Sequence, residues 1–401
     1  MIRITGRGSA MSHPSGLPRP RIRRQYAGRA HYDSPPMRFL KSLERSLRRR
    51  FLAVTDRAFT GAFVTTPHDA FGLGDAPRIL LLRQDRIGDV LVSVPVIRAL
   101  RGRYPRAQIH MLFSRANYGV RHAVAPYVDH AWRYDKTPAS ALHLIGAVRA
   151  AHYDVVVNLT DNPSVSSQLL ARWSGAPYRL GIRHEHAGHY THAVPLLDRG
   201  HVHIVERMAQ LLLPFGIDPA KTPLDLEYQV SNADRALART RLGPTDRPLR
   251  LGVNIAGSSR LRYWGNDNFI ACIRWMREFD PRFAIWVGGG PAYQSDIEAI
   301  ATATGAAPLP TLASFHEFAA VLREFDMLLS PDTSVVHLAA AWKTPMVGLF
   351  RQSQDVMPWY PYHSPYRAAE HAGGVPSIPV KAVEEALRAL VGERFPGGPG
   401  G

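Results

Sequence analysis

Short apolar runs alternate with longer helical stretches along the chain from Arg78 onward. The runs are rich in Val, Ile and Leu and do not alternate strictly with polar residues, which is typical of strands covered on both faces. The predicted strands are Arg78–Arg83, Gln108–Phe113, Asp154–Leu159, Arg250–Ile255, Ala284–Val287, Met327–Leu329 and Met346–Phe350. Strands that alternate with helices predict parallel sheets with right-handed crossover connections.

A charged stretch from Asn232 to Pro248, which contains "GPTDRP", divides these runs into two series. The chain has 401 residues, which is long enough for two domains of ordinary size. We therefore predict an α/β protein with one domain over residues 78–240 and a second over residues 248–375. A C-terminal helix is predicted over residues 376–395.

The N-terminal part shows a different pattern. Residues 1–36 are rich in Arg, Gly, Ser and Pro without periodicity, which predicts a disordered basic arm. Residues 37–60 show helical periodicity, with an apolar face and a face rich in Lys and Arg. Such a basic amphipathic helix either lies on an anionic membrane surface or packs on the body of the protein with a solvated basic face.

The net charge of +16 invites a nucleic-acid interpretation, but the charge is concentrated in one segment. Residues 1–57 hold 14 Lys and Arg against 3 Asp and Glu, and the remainder holds 35 against 30. The basic segment has few aromatic residues for base stacking, so nucleic-acid binding is the weaker interpretation.

The single cysteine, Cys272, excludes an intramolecular disulfide and fits a reducing compartment. No apolar run approaches the roughly 18 residues that a membrane-crossing helix needs. The N-terminus has no apolar stretch before a small-residue cleavage site. These features predict a cytoplasmic protein.

The loops after the strands are where ligands bind in open α/β sheets. After the first strand comes "RQDRIGD", in which Gly88 permits a tight turn. Asp89 stands near the start of the next helix, which Pro95 is expected to interrupt. Asp89 either caps that helix or takes a proton from a hydroxyl group in a cleft.

Two arginines flank this loop. Arg83 and Arg86 either contact anionic groups of an acceptor or hold Asp85 and Asp89 in place. The sequence does not separate these alternatives.

Loops of the second domain offer chemistry suited to phosphate. In "AGSSRLRYWG", Ser258 and Ser259 let the backbone approach a phosphate, and Arg262 supplies positive charge. In "GGGP", Gly288 and Gly289 allow either close approach to a ligand or a tight turn.

A further loop, "SPDTSVVHLAAAWKTP", precedes a predicted helix that begins near Val335. Asp332, Thr333 and Ser334 stand at its N-terminus, where anions bind readily. The alternative is a capped helix with His337 packed in its first turn.

Several enzyme classes lack their motifs in this chain. The "GLG" at residues 72–74 precedes its strand instead of following it, so no dinucleotide fingerprint is present, and P-loop, HExxH and GxSxG motifs are absent. The stretch "HEHAGHYTH" holds His184, His186, His189 and His192, whose spacing fits no structural zinc site. We predict a flexible acceptor-side loop there and no metal.

Three stretches together are specific to one family. "RQDRIGDVLVSVPVIRALRGRYP", "NIAGSSRLRYWGNDNF" and "SPDTSVVHLAAAWKTPMVGLF" resemble, in order and spacing, the signatures of the lipopolysaccharide heptosyltransferases, glycosyltransferase family 9. "HIVERMAQLLLPFGI" resembles a helix late in that family's first domain. The resemblance covers residues 78–392. It implies a GT-B fold, with two Rossmann-like domains whose parallel sheets face across a cleft and a C-terminal helix that crosses back to the first domain.

The resemblance also implies an activity, namely inverting transfer of heptose from ADP-heptose to a lipopolysaccharide core acceptor, without metal or cofactor. It places the catalytic carboxylate at Asp89. The donor-binding residues that it implies are Ser258, Ser259, Arg262, Asp332, Thr333, Ser334 and His337. If residues 37–60 bind lipid, the protein is expected at the cytoplasmic face of the inner membrane.

Two residues depart from the family pattern, since Arg262 stands where Lys is usual and Ser334 where Gly is usual. Arginine still neutralises a diphosphate, with a different and often bidentate geometry. Serine suits the loop less well if the backbone there needs a positive φ. These departures leave open a GT-B glycosyltransferase that uses another nucleotide sugar, and a nucleic-acid-binding protein acting through the basic arm is the remaining alternative.

Overall fold

A computed structural model describes residues 60–68, 71–135, 137–162, 164–184, 187–257 and 262–398. The predicted arm over residues 1–36 lies outside this part of the chain, and so does the predicted helix over residues 37–60, apart from Thr60. Ser258, Ser259 and His186 also lie outside it.

All the strands of the first sheet are parallel. In spatial order the strands are β1 (Ala62–Phe63), β7 (His192–Val194), β6 (Tyr178–Ile182), β5 (Val155–Asn158), β2 (Arg78–Leu82), β3 (Gln108–Ser114) and β4 (His130–Tyr134). The chain order reverses between β2 and β5, where Leu82 is in register with Asn158.

Helices cover both faces of this sheet. They are α1 (Ile87–Arg103), α2 (Pro138–Ala150), α3 (Val165–Trp173) and α4 (Ile204–Ala209), with short 3-10 helices at Tyr118–Val124, Ala187–His189, Gln210–Phe215 and Pro219–Lys221. Ile79 and Leu81 of β2 belong to one buried cluster, while Leu80 and Leu82 belong to another. Both faces of the strand are therefore buried, as its unbroken apolar run predicts.

The second sheet is also parallel throughout. In spatial order its strands are β10 (Ala307–Pro308), β9 (Phe283–Gly288), β8 (Leu249–Asn254), β11 (Met327–Pro331), β12 (Met346–Arg351) and β13 (Tyr366–His371). The remaining helices are α5 (Asn232–Leu242), α6 (Asn266–Phe279), α7 (Gln294–Thr304), α8 (Phe315–Leu322), α9 (Ser334–Trp342) and α10 (Val380–Arg394), with 3-10 helices at Pro291–Tyr293 and Val375–Ser377. The chain order reverses between β8 and β11 in this sheet.

Helix α1 continues through Pro95, so the expected interruption there is wrong. Proline removes one backbone hydrogen bond, the one that the carbonyl of Leu91 would accept. The helix tolerates this loss because its apolar residues on both sides of Pro95 are buried, among them Val94 and Val96. The packing therefore outweighs the local cost of the proline.

The C-terminal helix does not cross back to the first domain. Helix α10 packs on β12, β13 and α6 of the second sheet, and its Val383, Leu387 and Leu390 join the apolar core there. The segment between β12 and β13 makes the crossing instead. The backbone N–H of Met357 donates to the carbonyl of Arg199 at 2.9 Å.

Further contacts join the two sheets through helices. Helix α1 packs against α9, and one buried cluster includes residues of both. Helix α5 packs on α8, and beside that contact the carboxylate of Glu324 binds the guanidinium groups of Arg235 and Arg239. The contact between α1 and α9 therefore joins the two domains. Among the described helices, none is long and apolar enough to cross a membrane.

Candidate functional site

A cavity of about 1110 Å³ lies between the carboxyl ends of the two sheets. The first domain lines it with the loop after β2 and the loop after β5, and the second domain with the loops after β8, β9, β11 and β12. These loops include both positions at which the strand order reverses, which is where open α/β sheets bind ligands. The cavity is the candidate active site.

Asp89 lines this cavity as the third residue of α1. Its Oδ2 accepts a hydrogen bond from the backbone N–H of Arg86 at 3.0 Å, and its Oδ1 is 3.5 Å from Nη2 of Arg83. The side chain is 16 % exposed. Asp89 therefore caps the helix and also faces the cavity, and a carboxylate has acceptor positions beyond the two in use.

Arg83 does not face the cavity, so its prediction as an acceptor contact is wrong. Its side chain is only 2 % exposed. Nε donates to the backbone carbonyl of Asp89 at 2.9 Å, and Nη1 lies 3.4 Å from the carboxylate of Asp85. Arg83 thus holds the loop from inside, which is the other alternative that the sequence allowed. Arg86, in contrast, is exposed and lines the cavity.

On the opposite wall, the guanidinium group of Arg262 forms an ion pair with the carboxylate of Asp332. Both residues line the cavity. Burial raises the pKa of Asp332, and the positive charges of Arg262 and Arg86 oppose that shift. A Cβ atom on Gly257 would lie 2.7 Å from the carbonyl oxygen of Arg262, so a residue without a side chain is needed for this loop to close. The close approach of the Gly257 backbone to that of Arg262 thus helps to set the position of Arg262 on the second wall.

The N-terminus of α9 opens onto the cavity beside this pair. Thr333 caps the helix, since its Oγ1 accepts from the backbone N–H of Val335 at 3.3 Å. Ser334 is the first helical residue and is not among the described residues that have positive φ. Serine therefore causes no backbone strain where the family pattern has glycine. The positive end of the helix dipole at this first turn favours binding of an anion.

His337 lies in the first turn of α9 and is only 3 % exposed, although it forms part of the cavity lining. Its ring packs against the first domain, because a Cβ atom on Gly88 would lie 3.0 Å from His337 Cδ2. Burial lowers the pKa of His337 to about 4. Burial, together with the nearby His337, also lowers the pKa of His203, to about 3.

These buried histidines give a prediction for pH dependence. A histidine in the unfolded chain has a pKa near 6.5, so the unfolded chain binds a proton at this position below about pH 6.5. Native His337 stays unprotonated over the same range, so protonation favours the unfolded state. The stability present above that pH is lost as the pH falls toward about 4. We expect His337→Gln to lessen the fall in unfolding free energy by up to about 1.4 kcal/mol per pH unit, measured by denaturant titration. Exposed His143, replaced in the same way, serves as the control, and equal pH slopes in all three proteins would contradict the assignment.

Gly288 is not among the residues that line the cavity. It is the last residue of β9, and a Cβ atom there would lie 2.1 Å from Leu309 Cδ1, so the missing side chain makes room for packing within the domain. The alternative in which Gly288 closely approaches a ligand, as a candidate donor-binding residue, is therefore wrong. Gly289, the next residue, lines the cavity.

The histidine-rich stretch differs from its prediction as a loop. His189 is buried in the 3-10 helix at Ala187–His189, and His192 opens β7. None of its described histidines lines the cavity. Within the described ranges, no group of three or more His, Cys, Asp or Glu side chains has the geometry to hold a metal ion.

Sequence reasoning missed two cavity-lining residues with charged side chains, Asp161 and Arg351. Asp161 follows β5, and Arg351 ends β12. The rule that ligands bind after the strands would have found both, because each stands at the end of a predicted strand. It also missed an apolar part of the second wall, made by Leu309, Leu312 and Phe318.

Comparison with known proteins places these features in a family. The family model described as glycosyltransferase family 9 (heptosyltransferase) matches residues 141–371, more than half of the chain. The chain is 28% identical over 299 residues to lipopolysaccharide heptosyltransferase 3 of Escherichia coli (strain K12), which covers 69% of this chain and 82% of that protein.

Solved structures share the fold. The glycosyl transferase family 9 structure from Veillonella parvula DSM 2008 matches with a TM-score of 0.68 at 19% identity, covering 81% of this chain and 99% of that one. The structure of Escherichia coli ADP-heptose lps heptosyltransferase II matches with a TM-score of 0.62 at 20% identity, covering 79% and 99%. The two parallel sheets facing a shared cavity thus form a GT-B fold.

Proposed function

Because the chain belongs to glycosyltransferase family 9, we propose that it transfers a heptose from ADP-heptose to a lipopolysaccharide core acceptor, with inversion at the anomeric carbon. That it is a glycosyltransferase follows from the family itself. One observation carries the finer proposal: Asp89 lines one wall of the cavity, and Arg262 and the N-terminus of α9 line the other. The first wall offers a proton acceptor, and the second offers an anion site.

The donor diphosphate is placed on the second wall. The N–H groups at the start of α9 and the guanidinium group of Arg262 would neutralise it. Arg262 pairs with Asp332, so the diphosphate would compete with that carboxylate for the same cation. Ser258 and Ser259 are proposed to contribute from the adjoining loop. The name of one structural relative includes ADP-heptose, which supports an adenine nucleotide as the donor.

The nucleoside needs a different surface from the diphosphate. Leu309, Leu312 and Phe318 form an apolar part of the same wall. A flat heterocyclic base gains free energy when such side chains remove it from water. We therefore place the adenosine there, which directs the sugar toward the first wall.

Asp89 is proposed as the general base. Its carboxylate accepts the proton of an acceptor hydroxyl while that oxygen attacks the anomeric carbon. The bond from the anomeric carbon to the diphosphate oxygen breaks, and its electron pair stays with the departing nucleotide. Attack from the side opposite the leaving group inverts the configuration. Negative charge that develops on the diphosphate meets the preorganised positive wall, which lowers the barrier.

The contact of residues 37–60 with an anionic membrane stays a prediction, as does a position at the cytoplasmic face of the inner membrane. Residues 37–59 lie outside the part of the chain that the structure describes. A lipid-linked acceptor would be consistent with both.

The function is tested by offering the purified chain ADP-heptose with truncated core oligosaccharides and weighing the products by mass spectrometry. We expect a mass increase of one heptose residue with ADP-heptose and none with UDP- or GDP-sugars. A ligand that binds only the native state stabilises it, so ADP should raise the melting temperature more than UDP does. Transfer from a UDP-sugar alone, with no stabilisation by ADP, would favour a GT-B enzyme with another donor.

A further inference from the structure

An acidic side chain that the proposed mechanism leaves unused lies on the first wall of the cavity. Asp161 follows β5 and lines the cavity together with Thr160 and Asn162. Because β5 pairs directly with β2, this loop lies beside the loop that carries Asp89. Both loops belong to the position at which the strand order of the first sheet reverses.

Two guanidinium groups hold the Asp161 carboxylate. Its Oδ2 lies 3.1 Å from Nη2 of Arg207 and 3.3 Å from Nε of Arg199. Arg207 is 2 % exposed, and its Nη1 donates to the carbonyl of Val202 at 2.9 Å. Arg199 also donates to the backbone carbonyl of Asp161. These contacts fix the direction of the carboxylate and of the loop that bears it.

The same support reaches the second domain. The carbonyl of Arg199 accepts from the backbone N–H of Met357 at 2.9 Å, and Met357 and Val356 line the cavity. Asp161 is therefore held where the crossing segment of the second domain meets the first wall.

The nearest nitrogen of each guanidinium group lies against Oδ2 of Asp161. Within the described residues no hydrogen bond is made to its Oδ1, and the side chain is 14 % exposed and belongs to a residue that lines the cavity. An ionised carboxylate offers about four acceptor positions. Oδ1 can therefore accept a hydrogen bond from a molecule that enters the cavity beside Asp89.

On the basis of the proposed function, we propose that Asp161 binds a hydroxyl group of the acceptor sugar through Oδ1, with Arg207 and Arg199 as positioning residues. The donor diphosphate is an anion and would be repelled by this carboxylate, whereas a sugar hydroxyl donates to it readily. The contact orients the acceptor so that a second hydroxyl meets Asp89. Asp161 thus determines which acceptor sugar is used.

Asp161→Asn tests this inference by steady-state kinetics. The amide oxygen can still accept from Arg207, but an NH₂ donor then faces the cavity in place of Oδ1. We expect the acceptor KM to rise roughly 10- to 100-fold, as for loss of a hydrogen bond to a charged group, with kcat and the donor KM within about threefold of wild type. Asp246→Asn, at an exposed carboxylate in the segment between the domains, makes the same charge change and is expected to leave all three constants unchanged.

A series of acceptor analogues, each lacking one hydroxyl, separates recognition from structural support. For the wild-type chain, one analogue should bind as poorly as the full acceptor binds to Asp161→Asn. For the variant, that same deletion should cost nothing further, because the partner atom is already absent. If the variant weakens every analogue equally, Asp161 supports the loop only and the inference is overturned.

Calorimetric binding of the acceptor needs no turnover, so it separates this inference from the proposed function. Acceptor binding that depends on Asp161, in a chain that transfers no heptose, would refute the donor assignment and retain the inference. If the chain transfers heptose but Asp161→Asn leaves the acceptor affinity unchanged, the inference about Asp161 is refuted and the donor assignment is retained. Asp161→Glu keeps the charge next to buried Arg207 and displaces the oxygen, so the same comparison can be made if the asparagine variant does not fold.

Discussion

Asp89→Asn is expected to lower kcat about 100-fold or more while the affinity for ADP stays unchanged. Asparagine has the size of aspartate, and its amide oxygen can still accept from the backbone N–H of Arg86. The amide cannot take a proton from the attacking hydroxyl, so only the chemical step should suffer. Steady-state kinetics with calorimetry of ADP binding measures both quantities.

A surface carboxylate shortly before β2 provides the matched control for this variant. Asp75 is exposed and pairs with Arg106, and Asp75→Asn should leave kcat within about twofold of wild type, as surface substitutions usually do. If Asp89→Asn retained near-native turnover, Asp89 would not be the base. If it lost ADP affinity as well, the residue would act through the loop geometry that it shares with Arg83.

Arg262→Ala is expected to lower kcat/KM for the donor roughly 100-fold, because an electrostatic contact to the developing diphosphate charge is removed. The substitution also leaves the Asp332 carboxylate in the cavity without its cation, which adds repulsion where the leaving group departs. Arg262→Lys keeps the charge and should retain much of the activity. The comparison requires donor-dependent kinetics of all three proteins at one acceptor concentration.

The double variant Arg262→Ala with Asp332→Asn separates the two parts of this effect. Activity regained relative to Arg262→Ala alone measures the repulsion from the unpaired carboxylate. Equal donor kcat/KM in wild type and Arg262→Ala would mean that the diphosphate lies elsewhere in the cavity.

The strands that the sequence predicts correctly share one physical property. Their residues are buried on both faces, so an apolar run such as residues 79–82 is unambiguous. Apart from β6, which lies inside the first sheet, the strands that it misses are short or lie at sheet edges, where burial is incomplete. Strand β4 ("HAWRY") and strand β13 ("YRAAEH") are edge strands with exposed polar residues. Backbone pairing with a neighbour defines them, and no periodicity reveals it.

Side-chain direction limits what the sequence says about the site. Position after a strand places Asp89 and Asp332 at the cavity, and the structure agrees. Arg83 and Arg86 stand only three residues apart, yet one is buried under the loop and the other faces the cavity. The turn between them decides this, and a turn of that kind has no pattern in residue type.

Helix α10 shows a related limit. Its apolar stripe predicts that one face is buried, but two cores of similar composition compete for it. The stripe packs on β12 and β13. The segment between those two strands, and not the helix, contacts the first domain. That segment mixes aromatic, polar and proline residues without periodicity, which is typical of a loop. Nothing in such a pattern indicates a contact between domains.

The rate of a single turnover tests the central claim most directly, because it isolates sugar transfer from product release. Enzyme saturated with ADP-heptose is mixed with acceptor in a rapid-quench instrument, and heptosylated product is counted over time. We predict a rate for Asp89→Asn at least about 100-fold below that of wild type at equal donor occupancy. A rate within about threefold of wild type would contradict the assignment of Asp89 as the proton acceptor.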